Sequence, residues 1–207
     1  MEATTSLVTD NEFFSAERRD RVLVVRGKPH FTRHAGDLKK IDAFFDHLEI
    51  IARTDEVGVV AFIGSPEKSG ADDTLEFFEA LLGSRREDYL LQRLLNLVNN
   101  YALTMAGLNK LTINADCGRI SLFHLSMSLA CDYRIVPRDK LEQTTLDMAD
   151  NYQEEQVAAM LAVRRLLKSD VNELRGSLET EDMLLLNRVN SPAFRKVLEA
   201  RAAARGR

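Results

Sequence analysis

Asn114–Val136 reads NADCGRISLFHLSMSLACDYRIV. Lys110–Ala115 (KLTINA) is a short strand, a single glycine follows at Gly118, an apolar helix runs to Cys131-Asp132, and Tyr133–Val136 is a second short strand. A strand–loop–helix of this kind is a common place to build a site. Here its middle is filled by Leu122, Phe123 and His124, so the stretch has the outline of a site without an open centre.

The pattern extends to both sides. Arg21–Arg26 (RVLVVR) is a strand with a β-branched core. Ile41, Phe44, Phe45, Leu48, Ile51 and Ala52 then recur at helical spacing as one continuous face. Val57–Ile63 (VGVVAFI) is a near-continuous apolar run, as in a strand covered on both sides, and Gly64-Ser65-Pro66 breaks it. Thr74–Leu82 and Glu87–Leu108 read as helices, the second with Leu91, Leu94, Leu95, Val98, Tyr101, Ala102 and Met105 in one stripe. From Glu154 the chain is helical again, and Ser191-Pro192 supplies an N-cap serine and an N1 proline for the last helix. Strands alternating with helices imply right-handed crossovers and a mainly parallel sheet. The expected organisation is a flexible arm over 1–20, a core over 21–150 and a helical extension over 151–207 that serves oligomer contact.

A chain of 207 residues can bury a sizeable core, and 45% hydrophobic with 29% charged residues is an ordinary globular composition. The net charge of -4 gives no basic face for nucleic acid. The basic residues from Arg188 to Arg207 suit the C-terminal ends of helices. Cys117 and Cys131 form no CxxC pair and no histidine cluster adjoins them, so no metal is expected. A reduced, cytoplasmic setting fits two lone thiols. No signal sequence is expected from the polar first residues, and no run reaches the ~20 apolar residues of a membrane span.

Three segments together resemble the crotonase superfamily, the enoyl-CoA hydratase/isomerase group. EVGVVAFIGSPEKSGADD is similar to the family's strand, short loop and Gly-Ala-Asp element, with Gly70, Ala71 and Asp72 in the matching places. The opening stretch resembles strand–Asn-Gly–x–x–x–Gly-Gly-Gly–helix–Cys-Asp, counted back from Cys131-Asp132 without a gap. SPAFRKVLEARAA is similar to the closing helix. The resemblance implies an α/β, ClpP-like crotonase fold: stacked β-β-α turns with outer helices and a shortened helical C-terminal region. Material is expected to be missing between Val136 and Glu154, where the family closes the acyl pocket. The resemblance also implies a coenzyme A thioester as ligand and no other cofactor, and a homo-oligomer, trimer or hexamer.

In that family two backbone N–H groups hold the thioester oxygen as it gathers charge, and acidic side chains move protons or activate water. The resemblance places the N–H groups on Ala71 and Phe123. A phenylalanine in place of a glycine must find room for its ring. Ser126 stands where the first hydratase glutamate is expected and Leu146 where the second is, with Asp147 adjacent. Lys28, Arg33 and His34 lie where relatives touch the CoA nucleotide.

Each candidate has a plainer reading. Asp72 and Asp73 favour a helix dipole as readily as they form a catalytic pair. His124 is a replacement base or a hydrogen-bonded core histidine, the latter being the commoner case for one histidine in an apolar helix. Cys117 reads as a small buried hydrophobe. Basic loop residues such as Lys28, Arg33 and His34 are usually solvated. The leading expectation is a degenerate crotonase without enoyl-CoA hydratase activity, acting as a binding, scaffold or regulatory protein, with a protein partner. The alternative is an active acyl-CoA isomerase, lyase or thioester hydrolase with relocated acid–base groups, for which Asp72, Asp73, His124 and Asp147 are the candidates.

Overall fold

A computed structural model describes residues 7–29, 37–65, 75–79, 87–116, 128–135, 140–152, 154–167, 171–189 and 191–205. Six strands form one sheet in chain order: β1 (Thr9–Asp10), β2 (Phe14–Arg19), β3 (Val22–Gly27), β4 (Val59–Ile63), β5 (Leu111–Ala115) and β6 (Tyr133–Ile135). The first three pair antiparallel, and β3 to β6 run parallel. Helices α1 (Leu38–Arg53), α2 (Glu87–Gly107), α3 (Leu141–Asp150), α4 (Glu154–Leu167), α5 (Val171–Val189) and α6 (Pro192–Arg205) complete the order, and residues 75–79 form a further helical turn.

Alternation along the strands sorts the core into two layers. Leu23, Val25, Val60 and Phe62 point to one face, where Phe44, Leu48 and Ile51 of α1 and Tyr101 and Met105 of α2 cover them. Val22, Val24, Val59, Ala61, Ile63, Leu111 and Ile113 point to the other, under Leu146 and Ala149 of α3 and Val157 of α4. Every residue of β4 is therefore buried, as its unbroken apolar run requires. Crossovers of one hand, stepping one way along a sheet, leave their helices on one face, which accounts for α1 and α2 lying together. The outer side of α2 packs against Phe77, Phe78, Leu186, Val189 and Phe194, so α5 and α6 are layered onto α2.

The helix ends follow their local chemistry. Asp37 accepts from the Lys39 backbone N–H at 3.1 Å and opens α1. Lys110 closes it, donating Nζ to the Thr54 carbonyl at 2.7 Å, a cation at a helix C-terminus. Ser191 Oγ accepts from the Phe194 N–H at 3.3 Å, the N-cap expected before Pro192.

One expectation is corrected. The segment read as a flexible arm contributes β1 and β2 from residue 9 onward, with Phe13 and Phe14 each 2% exposed; residues 1–6 lie outside the described part. A two-residue connection, Asp20-Arg21, joins Arg19 to its partner Val22, and Asp20 takes the positive φ (51°) that such tight hairpins need. Within the interval from 136 to 154, α3 packs beneath β4 and β5.

Candidate functional site

In open α/β sheets ligands bind beyond the carboxyl ends of parallel strands, where the outgoing segments diverge. Here the ends of β4, β5 and β6 are tied together. The Gly64 N–H donates to the Ala115 carbonyl at 2.8 Å, and the Asp116 N–H to the Ile135 carbonyl at 3.2 Å. Gly64 and Asp116, from which the following segments leave the sheet, therefore lie at neighbouring strand ends. Those segments carry Ala71 and Phe123, the backbone positions the resemblance assigns to the thioester oxygen. Both residues lie outside the described part, as do Asp72, Asp73, Cys117, Gly118, Leu122, His124, Ser126, Arg33 and His34.

Strand β5 presents a polar row. Leu111, Ile113 and Ala115 face the α3 layer, so Thr112, Asn114 and Asp116 alternate toward the α2 side. Asp132 Oδ2 accepts from both the Thr112 N–H and the Thr112 hydroxyl, each at 2.8 Å. Asn114 Nδ2 donates to Ser128 Oγ at 3.0 Å. These bonds fasten the returning chain, Ser128 to Asp132, onto the strand, so the acid of Cys131-Asp132 serves here to hold backbone. The third side chain is different. Asp116 is half-buried, and its Oδ2 is shut from solvent with no hydrogen-bond partner among the described residues.

Two protonated groups stand near Asp116. Tyr101 OH and Cys131 Sγ share a hydrogen bond of 3.6 Å. Burial, with the thiol and Asp116 adding, holds the Tyr101 phenol well above its ordinary value. Burial likewise pushes the Cys131 thiol up to about 11, with Asp132 and Asp116 contributing. Cys131 is thus a protonated, unreactive thiol at neutral pH.

The described site candidates from the sequence are engaged elsewhere. Asp147 is exposed on α3, where its Oδ1 accepts from Gln143 Nε2 at 2.6 Å. Its neighbour Leu146 turns inward and is 6% exposed, packed under β4 and β5. Lys28 follows β3 directly and donates Nζ to Asp10 at 2.5 Å, tying the strand end to β1. Sequence reasoning missed Asp116. The signal available was the period-two row of Thr112, Asn114 and Asp116, but which face of a strand meets the site is decided by the packing of the sheet.

A hollow of about 310 Å³ lies between α2 and α5, lined among others by Gln92, Asn96, Asn99, Arg175, Glu179 and Asp182. Asn99 Nδ2 donates to Asp182 Oδ2 at 2.7 Å across it, and burial raises the Asp182 carboxyl despite that bond. Among the described residues no group of three His, Cys, Asp or Glu side chains is placed to hold a metal ion, and no helix is long and apolar enough to cross a membrane.

The sequence matches no protein-family model and no curated protein. Solved structures do match along most of the chain. Pseudomonas aeruginosa OdaA superposes with a TM-score of 0.67 at 18% identity, covering 92% of this chain and 98% of its own. Enoyl-CoA hydratase from Bacillus halodurans gives 0.65 at 13% identity over 91% and 99%. An enoyl-CoA hydratase/isomerase from Xanthobacter autotrophicus Py2 gives 0.64 at 14% identity over 92% and 93%. The chain has the crotonase fold, a mixed α/β architecture with one six-stranded sheet.

Proposed function

We propose that this crotonase-fold protein binds an acyl thioester at the carboxyl ends of β4 and β5 without hydrating it, and acts as a binding, scaffold or regulatory protein. One observation carries the reading. The helix matched to the second hydratase glutamate turns Leu146 into the core and Asp147 out to solvent. Addition of water to an enoyl thioester needs one group to take a proton from water and a source of a proton for carbon. Neither role falls to α3, and the place of the first glutamate holds Ser126, whose hydroxyl does not titrate near neutrality. Structural neighbours named as enoyl-CoA hydratases support the ligand class.

The test pairs turnover with binding. Crotonyl-CoA incubated with the protein is expected to show no hydration above the protein-free rate, while calorimetry with CoA, acetyl-CoA and crotonyl-CoA shows affinity that depends on the acyl chain. Measurable hydration would sink the reading. Absence of binding to all three would remove the ligand and leave a protein partner as the scaffold's role. A second reading, an acyl-CoA-processing enzyme with relocated acid–base groups, is favoured by the orphaned oxygen of Asp116.

A further inference from the structure

Helix α2 has a second face that the sheet does not use. Tyr101 and Met105 cover the strands, while the outer side meets α5 across the hollow of about 310 Å³. Along that wall Gln92, Asn96 and Asn100 recur every four residues and are exposed, with the half-buried Asn99 beside them. Gln92 Nε2 donates to Asn96 Oδ1 at 3.2 Å, and Asn99 Nδ2 donates to Asp182 Oδ2 at 2.7 Å, which ties α5 to α2. A carboxamide offers two donor hydrogens and an oxygen with two lone pairs, so these bonds leave part of each amide unspent. The Asn100 side chain makes no hydrogen bond among the described residues. Asparagine is a poorer helix former than alanine, so helix formation does not account for three of them in five positions.

Carboxamides four residues apart on a helix stand about 6 Å apart along its axis. Main-chain groups facing one way along an extended peptide repeat every two residues, about 6.6 Å apart. The row therefore matches a strand-like peptide in spacing, and it carries donor and acceptor together as the peptide's N–H and C=O groups do. Charge selects the side chain. The α5 wall sets Arg175 against Glu179 and Asp182, an excess of one acid, and Glu181 adjoins them. Among the described residues no aromatic ring lines the hollow, so a nucleobase has nothing to stack on and its phosphates would meet two acids. We propose that the hollow between α2 and α5 binds an extended peptide, its main chain on the carboxamide row and one lysine or arginine side chain at Glu179 and Asp182. Leu103, Leu178 and Leu186 give its other side chains apolar contact. The hollow shares no residue with the strand ends, so the inference stands apart from the thioester reading.

The experiment screens the full chain on an array of acetylated hexapeptide amides, each position varied in turn, and measures the best sequence in solution by fluorescence anisotropy. Lysine and arginine are expected to be selected at one position. Methylating alternate main-chain nitrogens of that peptide removes donors and is expected to weaken binding about tenfold or more, the scale of a few lost hydrogen bonds. Asn96→Ala with Asn100→Ala is expected to do the same, and alanine keeps α2 helical. Asp182→Asn retains an oxygen for Asn99 and is expected to erase the preference for a cation, leaving a peptide without one bound as before. A methylated peptide that binds the unaltered protein as well as its parent overturns the inference. So does an array with no selected position, or one enriched in acids. A smaller assembly in the double alanine variant, with no peptide bound by the parent chain, assigns the hollow to a second copy and overturns it as well. Crotonyl-CoA is expected not to displace the peptide; displacement would move the peptide to the strand ends and sink this inference while sparing the thioester reading.

Discussion

His47 sits on the buried face of α1, 1% exposed, with the Phe14 ring centroid 5.1 Å away and neither ring nitrogen hydrogen-bonded among the described residues. Burial lowers its pKa from the ordinary 6.5, because an imidazolium there would lose its water. In the depressed range the unfolded chain binds the extra proton and the folded chain does not. The histidine's contribution is therefore complete above 6.5 and is lost as pH falls through the folded value. The urea midpoint is expected to drop as pH is lowered below 6.5, and this component of the slope should vanish in His47→Phe. An identical slope in both proteins would assign the acid sensitivity to other groups. At this scale the sequence was only half legible. His47 occupies the apolar stripe between Phe44 and Ile51, and nothing in its spacing distinguishes it from a core residue. Asp116 likewise follows a correctly read strand, but its lack of a partner is a property of three dimensions.

Among the elements, the β1–β2 hairpin departs furthest from its appearance in sequence. Asn11 Oδ1 accepts from the Phe13 and Phe14 N–H groups at 2.8 and 2.9 Å, a local turn that delivers both rings to α1. Phe13 meets Phe44 edge-on at 5.6 Å and Phe14 does so at 5.4 Å. Only two aromatic residues in a charged stretch gave away this docking, and their value depends on a helix more than twenty positions later. Phe13→Ala is expected to cost about 3–5 kcal/mol, as for large core aromatics elsewhere. Urea unfolding would measure it, and a loss near zero would mean that the hairpin is dispensable. Helix α3 was invisible for another reason. It starts from Lys140 in a left-handed conformation (φ 57°) with no side-chain cap, and Thr144 and Thr145 weaken its propensity. Packing of Leu146 and Ala149 against the sheet decides it. Arg26 pins its first turn, bonding Glu142 at 2.5 Å and Glu17 at 3.0 Å. The hydration test reads this element, since α3 turns Leu146 into the core and Asp147 to solvent.

For the whole molecule, the parallel half of the sheet and its two helical layers followed from alternating strands and helices, because each apolar run admits few ways of being covered. The fate of the last third did not follow, since its helices have no strand to lie on. Part of it is settled by Leu186, Val189 and Phe194 on the outside of α2. Met183, Leu184 and Val197 remain 63%, 66% and 57% exposed. We expect copies of the chain to associate through these helices. Light scattering should give a multiple of 23.4 kDa, and Met183→Glu with Leu184→Glu should reduce it to one. A monomeric parent chain would refute the expectation. The sheet itself has a bearing on how copies can meet. Among the described residues its outermost strands are its shortest, two residues in β1 and three in β6, against five or six for those inside. A rim so short offers too few open amide and carbonyl groups to recruit a foreign strand, so sheet-to-sheet polymerisation is disfavoured.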